Sequence, residues 1–554
     1  MRPFHSSSCK IVGTLLPLLI FVSTSFGSDG VRQSSDSVEQ WKRFEIEFSS
    51  SQNYWDPVRD VRLEVKFTAP DGSEQSVFAF WDGGKTWRAR FSPDQVGEWR
   101  YRTICSKDDN AGLHDRRGGM ICVPYSGDHP LYRRGEIRLS GNRRYFTHAD
   151  GAQFFMLADT VWNGPLLADE DSWNRFLADR VEKGFNAIQF VTTQWRAADV
   201  DANGKVAFTG NILIQIRPQF FQRLDRYFDA INEHGMIAVP VLLWAVAGND
   251  NPGYALPEDQ KIELARYLIA RYGAHQVIWI LAGDGKYLGK ETESWKRIGR
   301  AVFNGNHRRL ATMHPSHYEW VGEAFRSEPW YSFVSYQSGH GDSEERIRWL
   351  TEGPPRREWT NDPPLPVINQ EPNYEDIVAY ESKTPFDAHA VRRAAYWSLL
   401  IAPPAGITYG AHGVWGWHLK EGPVRKHDGA GIGKPWQEAM RLPGSMHMYY
   451  LKQFFESIEW WSLRPAPELI INQPGKSDPA KFIAAAKSES GNLCVFYIPT
   501  GGTVEVNTND LNFPLNVEWF DPCNGERISL GTLTEPQPKF TQDTKTDCIL
   551  LFKK

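Results

Sequence analysis

Two hydrophobic periods take turns along the chain and divide it into three stretches. From about Val38 to Pro130 the apolar residues alternate in short segments, Arg43–Phe48, Val61–Thr68, Ser76–Trp81, Thr86–Phe91 and Gly97–Ile104, separated by turn sequences such as Pro70-Asp71-Gly72 and Asp82-Gly83-Gly84. Period-two segments of this length between turn signals predict a small immunoglobulin-type β-sandwich over residues 38–130. From residue 131 to 455 helical and strand periods alternate. Asp171–Lys183 reads as a helix stopped by Gly184 and followed by the strand Phe185–Thr193. Phe220, Phe221, Leu224, Tyr227, Phe228 and Ile231 form a 3.6-period stripe before Gly235 and the apolar run Met236–Val246. Asp259–Tyr272 before Val277–Ala282 repeats the unit, and further strands are expected near Phe154, Leu310, Ser332, Leu365 and Gly406. Eight strands in about 250–330 residues predict a (β/α)8 TIM barrel. A doubly wound sheet is the rival, but no GxGxxG follows a first strand. After Gln453-Phe454-Phe455 the helical period fades. Lys481–Ala486, Asn492–Tyr497, Gly502–Val506 and Cys548–Phe552 alternate again, which predicts a second β-sandwich over 456–554. The expected fold class is therefore multidomain, a TIM barrel flanked by an N-terminal and a C-terminal β-sandwich.

The first residues have another logic. Arg2 and Lys10 precede an apolar run from Ile11 to Val22, and small residues lead to Ser25-Phe26-Gly27. This reads as a signal peptide over 1–27 and predicts a secreted or periplasmic protein. The run is too short to span a bilayer, and no later stretch reaches the roughly 20 apolar residues that a membrane helix needs. Cys9 lies before the apolar core, where a lipid-anchored cysteine would not lie. The remaining cysteines, Cys105, Cys122, Cys494, Cys523 and Cys548, are odd in number. Cys105 and Cys122 are the natural candidates for a bridge in an exported chain.

Charge and composition narrow the partner. A net charge of -5 and a pI near 6.3 provide no basic block to neutralise a phosphate backbone, which disfavours nucleic acid. The 22 Trp, 20 Tyr and 31 Phe are flat apolar faces with polar edges, suited to sugar rings as well as to large cores. A polysaccharide or oligosaccharide is the expected partner. No Cys/His cluster has zinc spacing. His314-Pro315-Ser316-His317 is the nearest to a metal pair, but its proline spoils helical geometry and favours a loop, so no metal is expected. Gly429-Ala430-Gly431-Ile432-Gly433-Lys434-Pro435 is one residue short for a phosphate loop, and there is no GxSxG elbow.

Barrel enzymes place their chemistry at the C-terminal ends of the strands, so polar residues directly after apolar runs are the candidates. Five places qualify: Leu157–Trp162, Phe190–Trp195, Val277–Asp284, Pro366–Pro372 and Tyr409–Trp417. Two of them deliver carboxylates. Asp284 follows strand four and Glu371 follows strand seven, across the mouth from each other. Glycosidic cleavage needs one carboxyl group to protonate the leaving oxygen and another to attack or to activate water. Each alone could be an ordinary strand-end carboxylate, capping a helix or pairing with arginine. Glu375 and Asp376 follow too closely to be independent candidates and are expected to cap the next helix. Trp162, Trp195, Trp244, Trp415 and Trp417 fall at strand ends and would line an aromatic cleft, although a tryptophan is more often packing than subsite. Asp159, Gln194 and His412 are candidates for binding sugar hydroxyls, with burial as satisfied core groups the competing account.

The runs LADTVW (157–162), WILAGD (279–284), INQEPNYED (368–376) and ITYGAHGVWGW (407–417) together resemble the apiosidase-like glycoside hydrolases of family 140. In that family a DUF5060-type sandwich often precedes the barrel and a domain labelled collagen-binding follows it. Residues 38–130 look like the former, and Phe455–Trp461 looks like the opening of the latter. The resemblance implies that Asp284 is the general acid/base and Glu371 the nucleophile, in an enzyme that cleaves apiose-containing side chains of pectin and needs no cofactor. Common barrel glycosidases carry Asn-Glu at strand four, and Gly283-Asp284 departs from that pattern. The competing expectation is a non-catalytic carbohydrate- or matrix-binding protein, suggested by the two sandwiches.

Overall fold

The computed structural model describes residues 36–303, 309–402, 404–509, 511–543 and 546–554; the expected signal peptide and Cys9 lie outside them. At its centre are eight parallel strands: β1 (Met156–Thr160), β2 (Ala187–Val191), β3 (Ile237–Trp244), β4 (Trp279–Gly285), β5 (Ala311–Pro315), β6 (Val334–Tyr336), β7 (Val367–Asn369) and β8 (Pro404–Tyr409). They are ordered β5-β4-β3-β2-β1-β8-β7-β6. The remaining seam is closed by the Ser332 amide donating to the Ala311 carbonyl at 2.8 Å and the Thr312 hydroxyl donating to the Phe333 carbonyl at 2.7 Å. The result is a TIM barrel, as the apolar runs predict. Strands buried on both faces read as unbroken apolar stretches, and Ile237–Trp244 is buried at every position.

Helices follow the strands: α1 (Glu170–Glu182), α2 (Pro218–Glu233), α3 (Glu258–Tyr272), α4 (Thr292–Val302), α5 (Gly322–Phe325), α6 (Glu344–Glu352), α7 (Ala388–Ile401) and α8 (Pro443–Glu456). Their ends follow local chemistry. Asp169 caps α1 by accepting from the Ser172 amide at 2.8 Å, and Gly184 ends it at φ +75. Pro218 opens α2, whose stripe of Phe220, Phe221, Leu224, Tyr227, Phe228 and Ile231 is buried against the barrel.

Sheets flank the barrel on both sides in sequence. Before it, a five-stranded sheet packs on a three-stranded one around Phe67, Phe91 and Trp99. The expected single strand Ser76–Trp81 is in fact two, Glu74–Phe78 in one sheet and Phe80–Gly83 in the other, broken at Ala79. This sandwich is tied to the barrel by ion pairs: Arg90 and Arg271 both reach Asp225 at 2.7 Å, and Arg271 reaches Asp82 at 2.8 Å. After the barrel, a six-stranded sheet packs on α7, where Tyr396 stacks on Tyr497 at 4.8 Å and the Trp397 indole donates to the Phe482 carbonyl at 2.8 Å.

The expected Cys105–Cys122 bridge does not form. The two cysteines lie on paired strands, but Cys122 is in register with Gly97, eight residues from Cys105 along Gly97–Cys105. At ~3.3 Å per residue that is about 26 Å, against the ~7 Å limit for a disulfide. Cys494 and Cys548, also on paired strands, are likewise free, as is Cys523.

Candidate active site

The loops after the strands enclose a cavity of about 690 Å³ that reaches Asp284 and Glu371 together. β4 delivers the first. Its apolar run ends at Gly283, where a Cβ would come within 2.6 Å of the Trp244 ring, so the flat approach of that indole depends on glycine. Asp284 then turns into the left-handed region at φ +53, a conformation Asp tolerates better than most residues and one that aims its carboxyl into the mouth. Gln337 Nε2 donates to Asp284 Oδ1 at 3.0 Å and to the Pro315 carbonyl at 2.6 Å, fixing the group from the side. Arg196 Nη2 stands 3.5 Å from Oδ2. Burial raises the Asp284 carboxyl to about 6, the Glu371 charge adds to the rise, and Arg196 opposes it.

Glu371 is somewhat more buried and has the opposite outcome. Desolvation alone would raise it, but hydrogen bonds from His314 Nε2 to Oε2 at 3.1 Å and from His340 Nε2 to Oε1 at 3.0 Å hold it well below the usual carboxylate range. His340 Nδ1 faces the Tyr374 amide at 3.4 Å and accepts from it, which assigns the ring proton to Nε2, where it donates to Glu371. The Tyr374 phenol beside them is raised well above its ordinary value by burial and by the Glu371 charge, so it stays a hydrogen-bond donor. One carboxyl that keeps its proton into mildly acidic solution and one that is ionised throughout can divide the roles of acid and anion between them.

Aromatic rings build the walls. Trp162, Trp195, Trp244 and Trp415 all face the cavity, with Trp244 packed 5.1 Å from Trp162 and 4.5 Å from Trp195. The indole N–H groups of Trp244 and Trp415 have no partner among the described residues.

The structure places the other sequence candidates elsewhere. Asp159 is in β1 between residues that face the barrel interior, so strand alternation turns it outward, where it pairs with Arg180 of α1; both are wholly buried. Gln194 clamps the hairpin that follows β2, accepting from the Ala207 amide and donating to the Phe208 carbonyl, both at 2.9 Å. His412 is buried behind Trp415, its ring stacked 5.9 Å away. Trp417 turns into the wall at φ +51 and stacks on Trp436 at 4.6 Å. Glu375 and Asp376 do not cap the next helix, α7, which Asp387 caps. Glu375 accepts from the Gly444 amide at the start of α8 and from the Tyr409 hydroxyl, and Asp376 pairs with Lys434.

The sequence reading missed Arg196, His314, Gln337, His340 and Tyr374. His314 had a signal, since it ends the apolar run of β5, but its place in His-Pro-Ser-His drew attention to metal spacing instead. Gln337 and His340 follow β6, a strand of three residues, too short to mark its own end.

Comparison with known proteins places these features in context. A family model described as the apiosidase-like catalytic domain matches residues 140–462. A domain of unknown function, DUF5060, matches 37–106, and a model described as "Putative collagen-binding domain of a collagenase" matches 465–553. A search of curated proteins gives no match. Among solved structures, one described as a glycoside hydrolase is 24% identical with a TM-score of 0.67, over 77% of this chain and 98% of its own. A glycoside hydrolase family 5 protein from Bacteroides vulgatus ATCC 8482 is 21% identical with a TM-score of 0.68, over 77% of this chain and 95% of its own. A further structure from that organism, 19% identical with a TM-score of 0.68, spans 94% of this chain and 99% of its own. At these identities the likeness is one of fold.

Proposed function

Because the chain belongs to the apiosidase-like catalytic-domain family and is a glycoside hydrolase, we propose that it acts outside the cell on apiose-containing side chains of a pectic polysaccharide, with retention of configuration. The observation that carries this reading is the opposed protonation of the two cleft carboxylates. Asp284, raised to about 6, holds the proton that the leaving oxygen needs. Glu371, kept ionised by two histidine donors, is suited to attack the anomeric carbon. An inverting enzyme would ask Glu371 to take a proton from water, and a carboxylate held far below the working pH is a poor proton acceptor. That favours the nucleophile.

In the proposed cycle Asp284 protonates the leaving oxygen while a Glu371 oxygen bonds to the anomeric carbon and the glycosidic bond breaks. Asp284, now ionised, then takes a proton from water as the water oxygen attacks that carbon and releases Glu371. Gln337 holds Asp284 in both states, and Arg196 stabilises its ionised form. Trp162, Trp195, Trp244 and Trp415 form the aromatic wall against which the sugar lies. Asp159, Gln194, His412 and Trp417 support this cleft from behind. A purely binding protein would leave the opposed protonation and the strained Asp284 backbone without a use.

The test is product release from a panel of pectic glycans, including apiose-bearing rhamnogalacturonan-II. Wild type should release apiose-containing product, with turnover lost in both Asp284→Asn and Glu371→Gln. Full turnover by Glu371→Gln would overturn the assignment, and release of a different sugar would overturn the substrate.

A further inference from the structure

The largest exposed apolar side chain among the described residues lies outside the cleft. Trp55, in the loop of the N-terminal sandwich between Phe44–Ser49 and the short helix Pro57–Asp60, is 96% exposed. The short helix that follows it is held against a barrel loop and against α3. Arg59 donates to the Ile214 carbonyl at 2.7 Å and to Gln260 Oε1 at 2.9 Å, and the same Gln260 oxygen accepts from the Ile214 amide at 2.9 Å. Ile214 follows the tip of the hairpin after β2, where Ile212 and Leu213 are 78% and 58% exposed. Tyr254, 54% exposed, stands on the turn Pro252–Ala255 just before α3, the helix that carries Gln260.

Ile212, Leu213 and Tyr254 are on the loops after β2 and β3, which also carry Trp195, Arg196 and Val246 of the cleft. The Arg196 amide donates to Asn251 Oδ1 at 3.1 Å, Asn251 Nδ2 donates to the Val246 carbonyl at 2.9 Å, and the Tyr254 amide donates to the Asn251 carbonyl at 3.0 Å. Arg196 and Val246 line the cavity and Tyr254 is on the outer surface of the same loop. Asp56 and Glu263 share the one guanidinium of Arg59, and Asp250 pairs with Lys426. An apolar, aromatic surface on loops that also line a sugar cleft suits the C–H faces of sugar rings.

We propose that Trp55, Ile212, Leu213 and Tyr254 form a glycan-docking surface that holds the polysaccharide beyond the cleft. The N-terminal sandwich thereby contributes directly to substrate recognition. The proposal rests on the reading of the cleft as a glycosidase site.

The test compares an intact pectic polysaccharide with a short apiose-bearing oligosaccharide cut from it, using wild type, Trp55→Ala and the Ile212→Ser/Leu213→Ser double variant of the full chain. All substitutions are at exposed positions, and matching unfolding transitions would verify the fold. The expected result is a KM for the polysaccharide raised about five- to tenfold in both variants, with the oligosaccharide constants within twofold of wild type. Unchanged polysaccharide constants, or equal changes on both substrates, would overturn the proposal. If wild type turns over neither glycan, the reading of the cleft fails first, and affinity electrophoresis in the polysaccharide still judges the surface. Retardation of wild type but not of Trp55→Ala supports it, and equal mobility overturns it. Concentration-dependent dimerisation of wild type, lost in Trp55→Ala without a change on either glycan, would assign the surface to a second copy instead.

Discussion

Asp284→Asn should abolish turnover and yet stabilise the protein. Burial raises this carboxyl from 3.8 to about 6, which means that the folded state disfavours its ionised form by ~3 kcal/mol. The side chain is 19% exposed and Arg196 is beside it, so about 2 kcal/mol is the expected realised effect. The direction follows from proton linkage. A group whose folded value lies above its unfolded value gives stability that is fully present below pH 3.8 and is lost as pH rises through about 6. Asparagine carries no charge at any pH, keeps an oxygen for Gln337 to donate to, and tolerates the φ of +53. The variant should therefore match wild type near pH 3.5, allowing for that backbone preference, and exceed it by about 2 kcal/mol at pH 8. Guanidinium unfolding of the full chain, followed by tryptophan fluorescence at several pH values, would measure the difference in the transition of the barrel. No gain at pH 8 would refute the reasoning. A gain of constant size would trace to the backbone and equally refute the electrostatic account.

Other consequences follow from the same geometry. The rate should fall as pH rises through about 6, where Asp284 loses the proton it must donate, and Arg196→Met should move this limb to higher pH because it removes a cation that favours the ionised form; pH profiles of kcat/KM for the two proteins decide this. His340→Ala removes a donor to Glu371, worth about 1.5–3 kcal/mol for a charged acceptor, so kcat should drop about 10- to 100-fold and the acid limb should move up; an unmoved acid limb would count against the assigned role. Asp159→Ala removes one of the two carboxylates paired with the wholly buried Arg180, leaving Asp179, and should cost about 1.5–3 kcal/mol in unfolding experiments while leaving KM of the folded enzyme unchanged; a raised KM would restore Asp159 to the binding surface.

The parts of this molecule that were legible in the sequence are those written as periods. Apolar runs such as Ile278–Ala282 marked the buried parallel strands, and the residue where each run stops marked the barrel mouth, which is how Asp284 and Glu371 came forward together. Side-chain direction was not legible. Asp159 and Thr160 are neighbours, yet strand alternation sends one to Arg180 behind the wall and the other toward Gln189 inside it. After β8 the chain is irregular and no period applies, so Trp415 and Trp417 looked alike although one lines the cavity and the other stacks on Trp436. The donors that set the protonation of Glu371 come from β5 and from the loop after β6, more than 30 residues away in the chain, a relation that only the closed barrel creates.

In the proposed cycle Glu371 is the nucleophile and Asp284 the acid of a retaining hydrolase. The most direct measurement is the intact and peptide mass of the full chain after incubation with a 2-deoxy-2-fluoro glycoside of the sugar it releases. The expected result is a gain of one glycosyl unit on the peptide that carries Glu371, absent in Glu371→Gln. An adduct on another carboxylate, or turnover that gives the inverted product with no adduct at all, would contradict it.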